Sequence, residues 1–193
     1  MSSTIGFIEQ SKAIGASSLK ILDAEGRELP PGEIGLIYAR QPAYPDFTYN
    51  NDAAARRALE RDGLWTLGDM GYVDADGYLF VCDRAADMVI SGGVNIYPAE
   101  IEASLATMPG VRDCAVFGIP DAEFGEALAV AIQPDPAANL DADRVRAWLA
   151  ARIADYKVPR VVEFHAVLPR EESGKIFKRR LREPYWKDSG RHI

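Results

Sequence analysis

Four places in this 193-residue protein combine charge with glycine or turn geometry, and each could do chemistry. Residues 168–181 read LPREESGKIFKRRL and set Lys175 just after a Ser-Gly turn, ahead of a short basic helix. A lysine is a compact point charge on a long stem, suited to reaching a phosphate or a carboxylate. A surface turn with a solvated basic face is the competing reading of the same residues. Asp69 follows Gly68 in WTLGDMGY. An ionised carboxylate is acceptor-only, so beside glycines at a strand end it can receive hydrogen bonds from a sugar diol, or simply cap local amides. Asp83-Arg84 places a planar guanidinium fork where it could hold a phosphate or ribose, or form an inter-domain salt bridge. Ser91-Gly92-Gly93 would let backbone amides approach a ligand closely, or be a plain turn. It is not a Walker phosphate loop, because no Gly-Lys-Ser/Thr follows.

Other chemistries find no support. No spacing suits a Ser-His-Asp triad, paired glycosidase carboxylates or a zinc site. His165 and His192 are too scattered for a metal centre. Cys82 and Cys114 each lie in an apolar strand-like run, which argues against a disulfide framework and for a reducing, cytoplasmic setting. The net charge of -7 argues against a nucleic-acid binder. No apolar run reaches the length of a membrane span, and MSSTIGFIEQ lacks the basic-then-apolar pattern of a signal peptide.

The elements that must position these residues fall into two styles. Residues 1–18 show no clear element ends. Residues 19–22 and 34–39 read as strands, and residues 51–61 as a helix capped by Asn51 or Asp52. Residues 65–73 and 78–82 form a hairpin across Asp74-Ala75-Asp76-Gly77. Beyond about Ala85 the pattern is α+β: a short strand at 88–90, a helix opened by Pro98 with Ile101, Leu105 and Met108 on one face, and Gly110 as its left-handed cap. Strands at 111–119 and 127–133 flank a loop containing Pro120, Asp121 and Gly125. Asp141 caps a helix with Val145, Trp148, Leu149 and Ile153 as its buried stripe. A strand at 161–164 precedes the lysine turn, and the last helix carries Ile176 and Leu181. The expectation is a small antiparallel β subdomain (1–84) followed by a compact α+β domain (85–193), whose core of Ile101, Leu105, Val116, Ile132 and Leu149 suffices to fold alone.

Taken in order, TLGDMGYVDADGYLFVCDRAADMVISGGVNIYPAEIE, YKVPR and LPREESGKIFKRRL resemble the C-terminal part of the adenylate-forming superfamily, and within it the AMP-forming acyl-CoA synthetases for fatty and aryl acids. The resemblance runs from about Leu19 to Trp186. It implies a two-step reaction. A carboxylate attacks the α-phosphate of Mg-ATP to give acyl-adenylate and pyrophosphate; the thiol of CoA then attacks the acyl carbon and AMP leaves. In such enzymes the small C-terminal domain swings about a hinge between the steps. Carried over, Asp69 would bind the ribose hydroxyls of ATP, and Arg84 would contact ribose or phosphate near the hinge. Lys175 would bridge the carboxylate and the α-phosphate. Ser91, Gly92 and Gly93 would line the pantetheine channel in the second conformation.

Two departures stand out. The usual hinge aspartate or lysine is Ala86, and the glycine before the arginine is Asp83. The family's phosphate loop and aromatic-Gly-x-Thr-Glu motif do not occur, so the protein reads as a fragment with no ligase activity by itself and with the Mg ligands and acyl pocket elsewhere. An exposed apolar face is expected on the β subdomain, open to self-association. The rival readings are part of an adenylating enzyme that loads a carrier protein, and a non-catalytic interaction module. The stop at Ile193, soon after the lysine helix, favours CoA over a carrier.

Overall fold

The computed structural model describes residues 10–12, 18–43, 45 and 52–187. Contacts divide the protein into two compact units, one ending at Ala86 and the other continuing from Asp87.

The first unit is built on an antiparallel sheet. Its strands are β1 (Gln10–Lys12), β2 (Ser18–Leu22), β3 (Gly35–Arg40), β4 (Glu60–Arg61), β5 (Leu64–Trp65), β6 (Asp69–Val73) and β7 (Tyr78–Arg84), with one helix, α1 (Ala53–Ala58). The order is β1-β7-β6-β3-β5-β4, with β2 also on β3. The Asp74–Gly77 turn forms as expected: Gly77 N–H donates to Asp74 O, and the Asp74 carboxylate accepts from the amides of Asp76 and Tyr78. Two features differ from the sequence expectation. Gln10–Lys12 pairs with β7, in a stretch read as having no element; Asn51 and the remainder of 1–17 lie outside the described residues. The helix is also shorter than 51–61. Asp52 caps it through Ala55 N–H, but residues 60–61 leave to pair with 64–65. Asp62 (φ 51°) and Gly63 (φ 75°) make the tight turn between them, and cross-strand bonds there outcompete continuation of a short helix.

The second unit is a three-layer α+β fold. Its strands are β8 (Val89–Ser91), β9 (Val94–Ile96), β10 (Val111–Asp121), β11 (Gly125–Pro134) and β12 (Val161–Phe164). Its helices are α2 (Pro98–Ala106), α3 (Ala142–Ala150) and α4 (Lys178–Trp186). The long β10–β11 hairpin forms its centre. The order is β10-β11-β8-β9, and β12 runs parallel to β11.

Strand alternation explains both faces of this hairpin. Cys114 and Val116 with Leu128, Val130 and Ile132 face α2 and α3, meeting Ile101, Leu105, Val145 and Leu149 in one dry cluster. All five expected core residues lie in it. Ala115, Phe117 and Ile119 with Ala127, Ala129 and Ala131 face the other way, against Leu168 and Leu181. The three alanines of β11 keep that face shallow, so α4 can lie close. Trp186 completes the seal, donating its indole N–H to Gly118 O at 3.0 Å.

Three local expectations change here. Pro120, Asp121 and Gly125 belong to the paired strands, because their register continues to Asp121↔Gly125. Ile176 is bridged to Arg170 before α4 begins, not carried on the helix. Strand β9 stands where only a turn was expected, its bonds coming from β8.

Candidate functional site

In the first unit, β6 and β7 bring Asp69 and Arg84 together. They are direct cross-strand partners, with Arg84 Nε 3.4 Å from Asp69 Oδ1 and both side chains open to solvent. Gly68 (φ 85°) turns the backbone into β6; its N–H donates to Thr66 Oγ1, and its carbonyl receives Ala85 N–H at 2.8 Å. Arg84 is further set by its own N–H, which donates to the Asp83 carboxylate at 2.8 Å. The result is an exposed carboxylate and guanidinium side by side, an acceptor for hydroxyls next to a donor for phosphate oxygens. Arg84's partner lies within its own unit, unlike the inter-domain bridge that the sequence left open.

In the second unit, Gly92 (φ 58°) and Gly93 (φ 80°) form the two-residue turn of the β8–β9 hairpin, closed by the Ser91↔Val94 pair. Two left-handed residues in succession are what glycine permits at low cost. The turn is anchored from behind: Gly92 N–H donates to Phe124 O at 2.9 Å, and Ser91 pairs with Gly125. Exposed Ile90 and Val94 flank it, with Phe124 beside them. Across the described residues, more of the large exposed apolar side chains belong to this unit than to the first, where Ile34 and Leu67 are the examples.

Lys175 stands on a second hairpin of the same unit. Phe177 N–H donates to Pro169 O, Glu171 N–H to Lys175 O, and Gly174 N–H to Glu171 O; Gly174 (φ 85°) takes the left-handed corner. Lys175 is exposed, and among the described residues no carboxylate pairs with its ammonium. A lysine on a braced, solvent-open turn is placed to meet an incoming anion.

Lys175 and the Gly92-Gly93 turn are not brought together. The Lys175 hairpin is tied through Arg170 to Asp113, near the first end of β10, whereas the glycine turn meets Phe124 and Gly125 at its far end. Asp113 and Asp121 are eight residues apart on this strand, or about 26 Å at roughly 3.3 Å per residue.

Sequence reasoning missed the residues that brace these two turns. Arg170 donates to Gly174 O at 2.7 Å and to the Asp113 carboxylate. Arg160 donates to Asp121 Oδ2 at 2.5 Å and lies 5.0 Å from the Phe124 ring centroid. The amide of Phe124 chiefly, with that of Glu123 and the Arg160 charge, holds the Asp121 carboxyl below its ordinary value. Partners separated by 57 and 39 positions leave no local signal.

Among the described residues, no group of three or more His, Cys, Asp or Glu side chains is placed to hold a metal, and no helix is long and apolar enough to cross a membrane.

Residues 100–175 match the AMP-binding enzyme C-terminal domain. The protein is 42% identical over 169 residues to a feruloyl-CoA synthase of Amycolatopsis sp, an alignment covering 88% of this sequence and 34% of that protein. It is 39% identical over 175 residues to the fatty acid–[acyl-carrier-protein] ligase ScoC of Streptomyces coeruleorubidus, covering 90% and 33%. The fold superposes on ATP-bound MatB from Rhodopseudomonas palustris with a TM-score of 0.82 at 35% identity, covering 93% and 36%. The 193 residues therefore span about a third of the length of the curated relatives they match.

Proposed function

We propose that this protein, whose residues 100–175 match the AMP-binding enzyme C-terminal domain, supplies the nucleotide- and thiol-presenting part of an AMP-forming acid–CoA ligase. The observation that carries this reading is Lys175, exposed on a braced hairpin with no carboxylate partner among the described residues, in a sequence 42% identical over 169 residues to a CoA-ester synthase.

In the first half-reaction a carboxylate oxygen forms a bond to the α-phosphorus of ATP, and the bond to pyrophosphate breaks. Negative charge is concentrated between the two reacting anions, and the Lys175 ammonium offsets it. Asp69 accepts hydrogen bonds from the ribose hydroxyls, while Arg84 keeps that carboxylate oriented and faces ribose or phosphate. In the second half-reaction the thiol sulfur bonds to the acyl carbon and the carbon–oxygen bond to AMP breaks. The Ser91-Gly92-Gly93 turn lines the path of the pantetheine arm, since a side chain there would narrow it. The opposite placement of Lys175 and this turn on the β10–β11 hairpin suits a domain that presents one end and then the other. The Mg ion that travels with ATP, the acyl pocket and the phosphate loop are assigned to the rest of the ligase, so the 193 residues by themselves are expected to make no acyl-CoA.

The test is Lys175→Ala in the full-length ligase. Adenylate formation, followed by carboxylate-dependent pyrophosphate exchange, should fall by about a hundredfold or more, while transfer from supplied acyl-adenylate to CoA stays within about twofold. Equal loss in both halves refutes the assignment. The similarity to ScoC favours one second reading, in which the accepting thiol sits on a carrier protein. Comparing CoA with a phosphopantetheinylated carrier as acceptor separates the two.

A further inference from the structure

Strand β10 carries an aspartate near each end, and each is gripped by an arginine from the segment that follows α3. At one end, Arg170 donates to the Asp113 carboxylate and, at 2.7 Å, to Gly174 O, the carbonyl immediately before Lys175. At the other, Asp121 Oδ1 accepts the amides of Glu123 (3.0 Å) and Phe124 (2.8 Å), while Oδ2 takes Arg160 at 2.5 Å. Arg160 lies over the Phe124 ring, and the Phe124 carbonyl receives Gly92 N–H at 2.9 Å. The two arrangements share the strand but no residue.

We infer that these are two independent positioning clamps, Asp113–Arg170 for the lysine turn and Asp121–Arg160–Phe124 for the glycine turn, each serving one half-reaction. The inference rests on the functional reading above. Its physical basis is that both turns are short and solvent-exposed, with left-handed glycines that carry no side chain to pack. Such turns wander unless tied from outside, and a displacement of about 1 Å in a reacting group can cost up to about a hundredfold in rate. Each arginine joins its turn to the most deeply buried strand pair of the unit, so the turn inherits the position of the sheet. None of the four charged clamp residues need touch substrate.

The experiment has two arms. In the full-length ligase, Arg170→Met should lower the rate of adenylate formation about tenfold or more and leave transfer from supplied acyl-adenylate within about twofold. Asp121→Ala should do the reverse, with Asp121→Asn intermediate because its side-chain oxygen still accepts the loop amides. A purely structural role would lower both halves together, and that result overturns the inference. Amide exchange on the 193-residue protein reads the clamps without reference to activity. Asp121→Ala should speed exchange at Gly92 and not at Gly174; Arg170→Met should do the opposite. Arg160→Met should repeat the Asp121→Ala pattern, which guards against a folding defect peculiar to one variant. Unchanged exchange at both glycines refutes the clamps. Site-specific exchange with an enzyme that forms no adenylate refutes the functional reading and leaves the clamps standing.

Discussion

Leu168 and Val167 are neighbours in sequence with opposite surroundings, and the fold predicts opposite outcomes for their truncation. Leu168 is 1% exposed, packed with Phe117, Ile119, Leu181 and the alanines of β10 and β11. Val167 is 73% exposed. Leu168→Ala removes the branched end of the side chain, at about 0.8 kcal/mol for each carbon beyond Cβ, or about 2.4 kcal/mol of transfer energy. A cavity contribution raises this to roughly 3 kcal/mol, since the flat sheet face cannot collapse fully into the gap. For a unit of this size each kcal/mol moves the melting point by about 4–8 °C, so the unit should lose about 12–24 °C. Val167→Ala should stay within about 0.5 kcal/mol. The assay is thermal unfolding of the 193-residue protein followed by near-UV circular dichroism. Buried Trp186 and half-buried Trp148 report on the second unit, and Trp65 on the first. Equal shifts for the two variants, or a loss under about 1 kcal/mol for Leu168→Ala, would refute the packing argument. Leu168 also opens the Lys175 hairpin, so loss of its anchor should loosen that turn before the core melts.

Other outcomes follow from single sites. Gly71→Ala places a methyl 2.1 Å from Phe80 O, a backbone atom that cannot swing away, and should destabilise the first unit by about 1–3 kcal/mol in urea titration. Burial chiefly, with the Glu102 and Asp113 charges, pushes the Cys114 thiol up to about 12, so native-state alkylation at pH 8 should label half-buried Cys82 first. The Asp121 carboxyl titrates below its ordinary 3.8 in the folded state, chiefly through the Phe124 amide. Its contribution to stability is therefore present above the unfolded value and lost as pH falls through the lower folded one. Amide exchange at Gly92, corrected for intrinsic rates, should stay slow at pH 4 and quicken below, with the step absent in Asp121→Asn.

Much of this molecule is local information. Asp52 and Asp141 cap their helices because each side chain can reach an amide three residues on. Ile101 and Leu105 meet the core because the helical period leaves them no other side. Asp74, Asp76 and Gly77 make their turn from their own hydrogen bonds. The segments around Asp69, Arg84, Gly92-Gly93 and Lys175 stand as continuous words in the sequence, so the resemblance could be read before any fold was known. Asp62-Gly63 was equally local, yet a plausible helix pattern running up to it over residues 51–61 obscured the hairpin. Other features needed the folded protein. Strand β9 is three residues long and takes its identity from β8. The extension of β10 and β11 through Pro120 and Gly125 comes from their mutual register, against the turn preference of those residues. Above all, that Lys175 and the glycine turn occupy opposite ends of one hairpin, each tied to its own aspartate, is a matter of contacts across tens of residues. Local spacing encodes what a residue can do; which residue stands beside it is set by how the sheet and helices bury their faces together.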